Sequence, residues 1–521
     1  MSRSRHRFDL PFPSQGLHKT QAFEGQPELT SCDLQNVRSF DPTTGRNRGA
    51  QRAGLSKYVN DRTADGQVQD MGYVAARATP SGQTEVGSRT IKAYAVTNGT
   101  VAEVSSSSFT TATSGSSALS ATVPVIFSTE LFGVVYFADG TNEKKWTAST
   151  NTVSNWVATS GTLPVDGGNR PRLITTWRSR IVVSGISTDP HNWFMSRVGD
   201  PLDWDYVPVP DDVAQAVAGN NAEAGKSADI INGLIPYNDD ILLILGDHTV
   251  HQVTGDPAEG GRIDRISDQI GGAWGQAWCK DPNGNVYFFG SRGGVYRMQP
   301  GSPPQSMTSG IIEEDLAGVD LDNNLISMEW DDRQKGFYLF ITPLDNTATT
   351  HYFYDSRNDA WFPDVFATND HNPTSTILFD GDAVADRALW LGGQDGYIRK
   401  VDVAADDDDG VAIDAFVFLG PMQMEGKPRL IINNMEPILG ESSDPITFDV
   451  YSSKSAEAAK ASTSSLTGTW EASRNFSERR RDHGQSIYVR LRNNTLDQDF
   501  QFEKLIVTVD AVKGPGARWH D

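Results

Sequence analysis

Cysteine is nearly absent from this 521-residue chain. Cys32 and Cys279 stand far apart, which excludes a disulfide framework and a cysteine-based zinc site. Long apolar runs are also missing. The longest aliphatic stretch near the middle, residues 241–245, falls far short of the ~20 residues of a membrane span, so a soluble protein without such a span is expected. The first residues, Met1-Ser2-Arg3-Ser4-Arg5-His6-Arg7, are basic like the start of a secretory signal, but Phe8-Asp9-Leu10-Pro11-Phe12-Pro13 cannot serve as its apolar centre.

Catalytic signatures are scarce too. No His-Glu-x-x-His and no Gly-x-Ser-x-Gly occurs, so metal-hydrolase and serine-hydrolase chemistry has no support. Gly225-Lys226-Ser227 imitates the end of a phosphate loop, yet the glycine required six residues before the lysine is Asn220. Asp320-Leu321-Asp322-Asn323-Asn324 has the alternating oxygens of a calcium loop, but Leu325 replaces its turn glycine and Asp331 its bidentate glutamate. Both read as polar turns. Paired carboxylates for sugar cleavage have candidates only in turns, among them Asp239-Asp240 and Asp331-Asp332 beside Arg292, and the Ser-x-Asp-x-Gly-x-x-Trp box of sialidase blades is missing. No enzyme, cofactor or metal is expected.

What the chain does have is a recurring hairpin, an apolar run followed by a tight Gly/Asp/Asn turn and a second run. The runs begin at residues 93, 134, 181, 241, 286, 337 and 388, spaced by 41, 47, 60, 45, 51 and 51 residues, the pace of propeller blades. Asn98-Gly99, Asp139-Gly140 and Asp395-Gly396 supply the positive φ angles of two-residue turns. The runs are apolar at consecutive positions, as in strands covered on both faces. An all-β fold follows: an irregular β-propeller of about six to eight blades with inserted loops.

The formal charge is −22, unevenly spread. Residues 1–60 hold nine Lys/Arg against five Asp/Glu, leaving −26 for the rest. Such acidity disfavours tight, sequence-reading nucleic-acid contact, which needs phosphate neutralisation by Lys/Arg, and suits a surface past which DNA slides. Pro11, Pro13, Pro27 and Pro42 block helices, so residues 1–60 read as an extended basic N-terminal arm lying on other surfaces. Residues 61–405 form the propeller, and the serine-rich connection 105–120 and the stretch 214–228 interrupt it. Asp406-Asp407-Asp408-Asp409-Gly410 reads as a solvated acidic linker, with a divalent cation as a lesser alternative. Residues 411–521 resume with strands that alternate apolar and polar, a C-terminal β-sandwich-like domain.

Two patches stand out. Residues 36–55 carry Arg38, Arg46, Arg48 and Arg52 among turn formers, guanidinium forks that can pair bidentately with a neighbour's carboxylates or simply line a strand that closes the propeller. Residues 193–204 place Trp193 and Trp204 around a Gly-Asp-Pro turn, as partner anchors or as core. The pattern Asn-Val-Arg-x-Phe-Asp-Pro-x-Thr-Gly-Arg-x-Arg-Gly at 36–49 and Trp-x-x-Ser-x-x-Gly-Asp-Pro-x-Asp-Trp at 193–204 resemble the propeller tail proteins of short-tailed bacteriophages, the nozzle or tail tubular protein B class. Residues 246–257 and 293–297 add to the resemblance, which covers roughly residues 30–400.

The resemblance implies a virion structural protein made in the host cytoplasm. Six copies would form a ring below the tail adaptor protein, hold tail spikes or fibres, and surround a channel where genomic DNA makes transient, non-specific contact. Arg38, Arg46, Arg48, Arg52, Trp193 and Trp204 are the candidate partner-binding residues. The alternative is a carbohydrate-binding or carbohydrate-cleaving propeller used in receptor recognition, and a weaker third is a bacterial scaffold propeller. Because the arm has few apolar runs, its removal is expected to weaken assembly more than folding.

Overall fold

A computed structural model describes residues 3–62, 66–77, 89–114, 119–209, 211–381, 383–475 and 482–512. Residues 115–118 of the serine-rich connection and 513–521 of the C-terminal domain lie outside the described residues.

The repeated hairpins become the second and third strands of seven sheets. Blade 1 is Val68–Arg77, Arg89–Thr97, Thr100–Val104 and Phe109–Thr111. Blade 2 is Phe127–Leu131, Val134–Ala138, Glu143–Thr147 and Thr152–Asn155, with Thr113–Ser114 added in parallel. Blade 3 comprises Leu173–Trp177, Arg180–Ile186, Asp189–Met195 and the short Val217–Ala218. Blades 4, 5 and 6 begin at Ile231–Asn238, Trp278–Lys280 and Asn324–Asp331. Blade 7 begins at Ser375–Phe379 and continues through Ala388–Gly392 and Ile398–Asp402.

Its fourth strand is Gly54–Lys57, taken from before the first blade, with Leu55 opposite Val401. A strand from one end of the repeat thus completes the sheet at the other, which closes the ring. First strands lie side by side around the axis: Val68–Arg77 sits against both Phe127–Leu131 and Ser375–Phe379, and Leu173–Trp177 against Ile231–Asn238. The apolar runs predicted from sequence are buried on both faces, as in Leu242, Leu243, Ile244 and Leu245 of blade 4.

The C-terminal domain is a two-sheet sandwich, and the arm is part of it. One sheet runs Val37–Phe40, Asn47–Gln51, Gln501–Val512, Arg429–Leu439, His483–Gly484, with Arg3–Pro11 also paired to Gln501–Val512. The other runs Leu34–Gln35, Ala415–Met422, Ser486–Asn493, Ile446–Ser453, Leu466–Trp470. The arm is extended, as expected, but it lies within the sheets of its own chain. Phe12, Leu17, Leu34, Val37 and Leu55 share one continuous core with Phe337 and Trp361 of blade 6 and Val417, Leu430 and Val507 of the sandwich. Each such side chain contributes about 1.5–3 kcal/mol on burial. The expectation that removing the arm would weaken assembly more than folding thus loses its premise, because the arm supplies core residues and sheet strands.

The acidic segment 406–410 is corrected as well. Asp408 is fully buried, and Asp409 pairs with Arg399 and Lys57. Gly54 lets the arm run close beside this segment, since a Cβ there would sit 2.1 Å from the Asp407 carbonyl oxygen. The segment is a packed seam between propeller and sandwich.

Candidate functional site

The arginines of the arm meet carboxylates, and those carboxylates belong to the same chain. Arg38 donates through both terminal nitrogens to Asp364 at 2.8 and 2.5 Å, each residue 1% exposed, and its guanidinium lies over the Phe353 ring. Arg52 donates to both oxygens of Asp408 at 2.8 and 2.6 Å and through Nε to Asn36. Arg48 donates to Asp41 and Gln501. Burial would push the Asp41 carboxyl up, but hydrogen bonds from Thr44 and Arg48 outweigh it and hold the group below its ordinary value. Bidentate geometry and low exposure make these pairs joints between arm, blade 6 and seam. Of the four arginines proposed to meet a partner, only Arg46 is exposed.

Trp193 and Trp204 are likewise internal, both at 0% exposure. The Trp193 indole donates to the Gly225 carbonyl at 3.1 Å, and that of Trp204 to the Pro201 carbonyl at 2.9 Å. Trp204 meets Trp156 edge to face at 5.6 Å. The aromatic anchors hold the Gly-Asp-Pro turn from within.

The same segment faces outward with other residues. Between Met195 and Val217 the chain leaves blade 3, pairs Asp203–Trp204 in parallel with Ser160–Gly161, and returns. Val198, Val207, Val209 and Val213 are exposed on this excursion, Val207 at 67%, and Val157 and Val165 are exposed on the segments flanking Ser160–Gly161. Apolar exposure on this scale is a feature of interaction surfaces. Arg180 fixes the excursion from below. It is fully buried and donates to the carbonyls of Ser196, Val213 and Gln215 and to the Asp256 carboxylate. Arg197 adds a surface pair with Asp212. Sequence reasoning missed Arg180 because a single arginine opening an apolar strand carries no motif. The only signal was the 60-residue spacing that follows position 181.

A second feature lies on the propeller axis. A cavity of about 310 Å³ is bounded by first strands of six blades and lined by Asp70, Tyr73, Tyr94, Ser128, Glu130 and Trp278, among others. Burial pushes the Asp70 carboxyl up to about 8. The Tyr94 hydroxyl lies 3.5 Å from Asp70 and bonds to the Ser128 hydroxyl.

The remaining sequence candidates have structural roles. Asp331 is buried and accepts the backbone N–H groups of Arg333 and Gln334. The Asp239 carbonyl accepts from Arg178, Lys226 pairs with Asp189, and Asp320 accepts from the Asn323 side chain. Among the described residues no group of three or more His, Cys, Asp or Glu is placed to hold a metal ion. No helix among them is long and apolar enough to cross a membrane.

No protein-family profile matches the sequence, and neither does any curated protein. Solved structures are similar at low identity. YCF48 bound to D1 peptide is 10% identical, with 68% of this chain and 97% of that chain covered and a TM-score of 0.41. An extracellular domain assigned to a hybrid two-component system of B. thetaiotaomicron is 10% identical, with 82% and 49% covered and a TM-score of 0.43. PorZ, a surface component of the type-IX secretion system of Porphyromonas gingivalis, is 14% identical, with 66% and 37% covered and a TM-score of 0.34. This chain therefore spans half or less of the last two. At these scores the likeness carries no functional argument.

Proposed function

We propose that this chain is a structural subunit of a short-tailed bacteriophage tail, assembling as a six-copy ring that retains and then passes genomic DNA. The reading rests on the two sequence patterns at 36–49 and 193–204 together with one structural observation. That observation is the exposure of Val198, Val207, Val209 and Val213 on an excursion whose two ends Arg180 ties down by hydrogen bonds, borne on a frame whose arm, propeller and sandwich share a core. A frame that presents apolar side chains outward suits assembly, whereas catalysis calls for convergent reactive groups in a cleft. The occupant of this apolar surface is a neighbouring copy of the chain, with the tail adaptor and spikes or fibres meeting other faces. A net charge of −22 suits a channel wall along which DNA moves without sticking.

Native mass spectrometry and negative-stain images of the purified protein test this. The expected result is a ring that Val207→Asp with Val209→Asp converts to folded monomers. Monomers of the parent protein at high concentration would overturn it.

One observation favours a second reading, in which the axial cavity binds a saccharide. Its lining joins the aromatic faces of Tyr73, Phe127 and Trp278 to the carboxyls of Asp70 and Glu130. Glycan-array binding that is lost on Trp278→Ala, with the ring unaffected, would support this reading.

A further inference from the structure

The propeller axis holds a carboxylate that no cation in the chain neutralises. Asp70 is 8% exposed, and the groups that bond to it are neutral: the Tyr94 and Ser128 hydroxyls and the Met71 backbone N–H. Among the described residues no Lys, Arg or His pairs with it. Burying such a group as a carboxylate without compensation is costly, so burial keeps the proton on it up to about pH 8 unless a cation takes the proton's place.

A second observation points to the same spot. Beside the larger cavity is a void of about 10 Å³, lined by Asp70, Ser327 and Thr376 together with Gln276, Thr374, Ser375 and the apolar residues 125–127 and 325–326. Ser327 and Thr376 are 5% and 4% exposed, and neither hydroxyl has a hydrogen-bond partner. The three side chains come from the first strands of blades 1, 6 and 7, which are neighbours around the ring. A void of this size admits one water-sized particle.

All the donors are hard oxygens, which suit alkali and alkaline-earth ions rather than zinc or copper. One carboxylate lines the void and balances one positive charge, while Glu130 lines only the larger cavity beside it. We propose that a monovalent alkali cation, sodium or potassium, binds on the propeller axis between Asp70, Ser327 and Thr376, joining the last two blades to the first. The site shares Asp70 with the saccharide reading, is independent of the tail reading and does not require the ring.

Thermal unfolding of the whole chain at pH 9, above the value at which burial holds the Asp70 proton, in sodium, potassium or tetramethylammonium chloride at equal ionic strength tests it, because tetramethylammonium exceeds the void. The midpoint is expected to rise by about 2 °C or more in sodium or potassium relative to tetramethylammonium. Asp70→Asn should abolish that difference and raise the midpoint in tetramethylammonium. Should Asp70→Asn fail to fold, Ser327→Ala with Thr376→Val leaves the carboxylate in place and should reduce the difference by half or more. Equal midpoints of the parent protein in the three salts mean a water molecule only, and overturn the proposal. A sodium effect that survives either variant unchanged overturns it too.

Discussion

The arm and the blade 3 excursion invert one another. The arm is basic, rich in turn formers and poor in apolar runs, yet Arg38, Arg48 and Arg52 are buried. The excursion carries Trp204 and several valines, and much of its apolar surface faces outward. The difference lies in what each segment has to satisfy. An arm strand that enters a sheet brings its guanidinium groups to a seam where Asp364 and Asp408 already sit, and fork-to-fork pairing fits them there. The excursion leaves its sheet after Met195, so only side chains that fold back, Trp204 above all, find a core. Residue type alone did not decide burial in either segment.

The sharpest way to break this comparison is to delete residues 1–60. We expect loss of the cooperative fold, because both sandwich sheets and blade 7 each lose at least one strand, and circular dichroism with urea unfolding would show it. A folded monomer with an unchanged midpoint would return the arm to the role of a docking tail. Next in size is Arg52→Ala, which strands Asp408 without its partner and should cost about 3–5 kcal/mol in urea unfolding. Arg46→Ala, on the exposed turn, should stay within about 0.5 kcal/mol.

Arg180→Lys keeps one charge but loses the fork that reaches three carbonyls. It should raise protease cleavage and amide exchange across residues 196–216 more than across blade 4. Uniform protection would mean that the excursion holds itself. A further test concerns pH. Burial, then the neighbouring Asp406 and Asp444, raises the Asp499 carboxyl to about 6. The folded protein therefore holds this proton more tightly than the unfolded chain, and the penalty grows as pH rises from about 4 through about 6. Asp499→Asn should raise the midpoint at pH 7 and leave it nearly unchanged at pH 3. Asp41, held below its ordinary value, has the opposite sign: its contribution is present at pH 7 and is lost as pH falls below about 4.

The seven hairpins were legible because they are the inner pairs of each blade, buried on both faces and joined by turns with clear chemistry. The first strands were harder to read. Val68–Arg77 and Asn324–Asp331 turn residues such as Asp70 and Ser327 toward the axis, so their apolar pattern is broken where the cavity lies. The arm's pairings could not be read locally, since Arg38 and Asp364 are separated by most of the chain. The aspartate run 406–409 resembled a solvated linker because the cations that hold it, Arg52, Lys57 and Arg399, are distant or unremarkable in sequence.

The pairing of Arg3–Pro11 with Gln501–Val512 has a consequence in time. Residue 3 lies in register with residue 512, so this strand waits for a partner synthesised after all seven blades. Long-range pairing of this kind slows folding. The blades can form one after another during synthesis, but the sandwich is completed only once Gln501–Val512 has been made. A nascent chain thus carries an unfilled sandwich until that point, and any contact that needs the domain begins only afterwards.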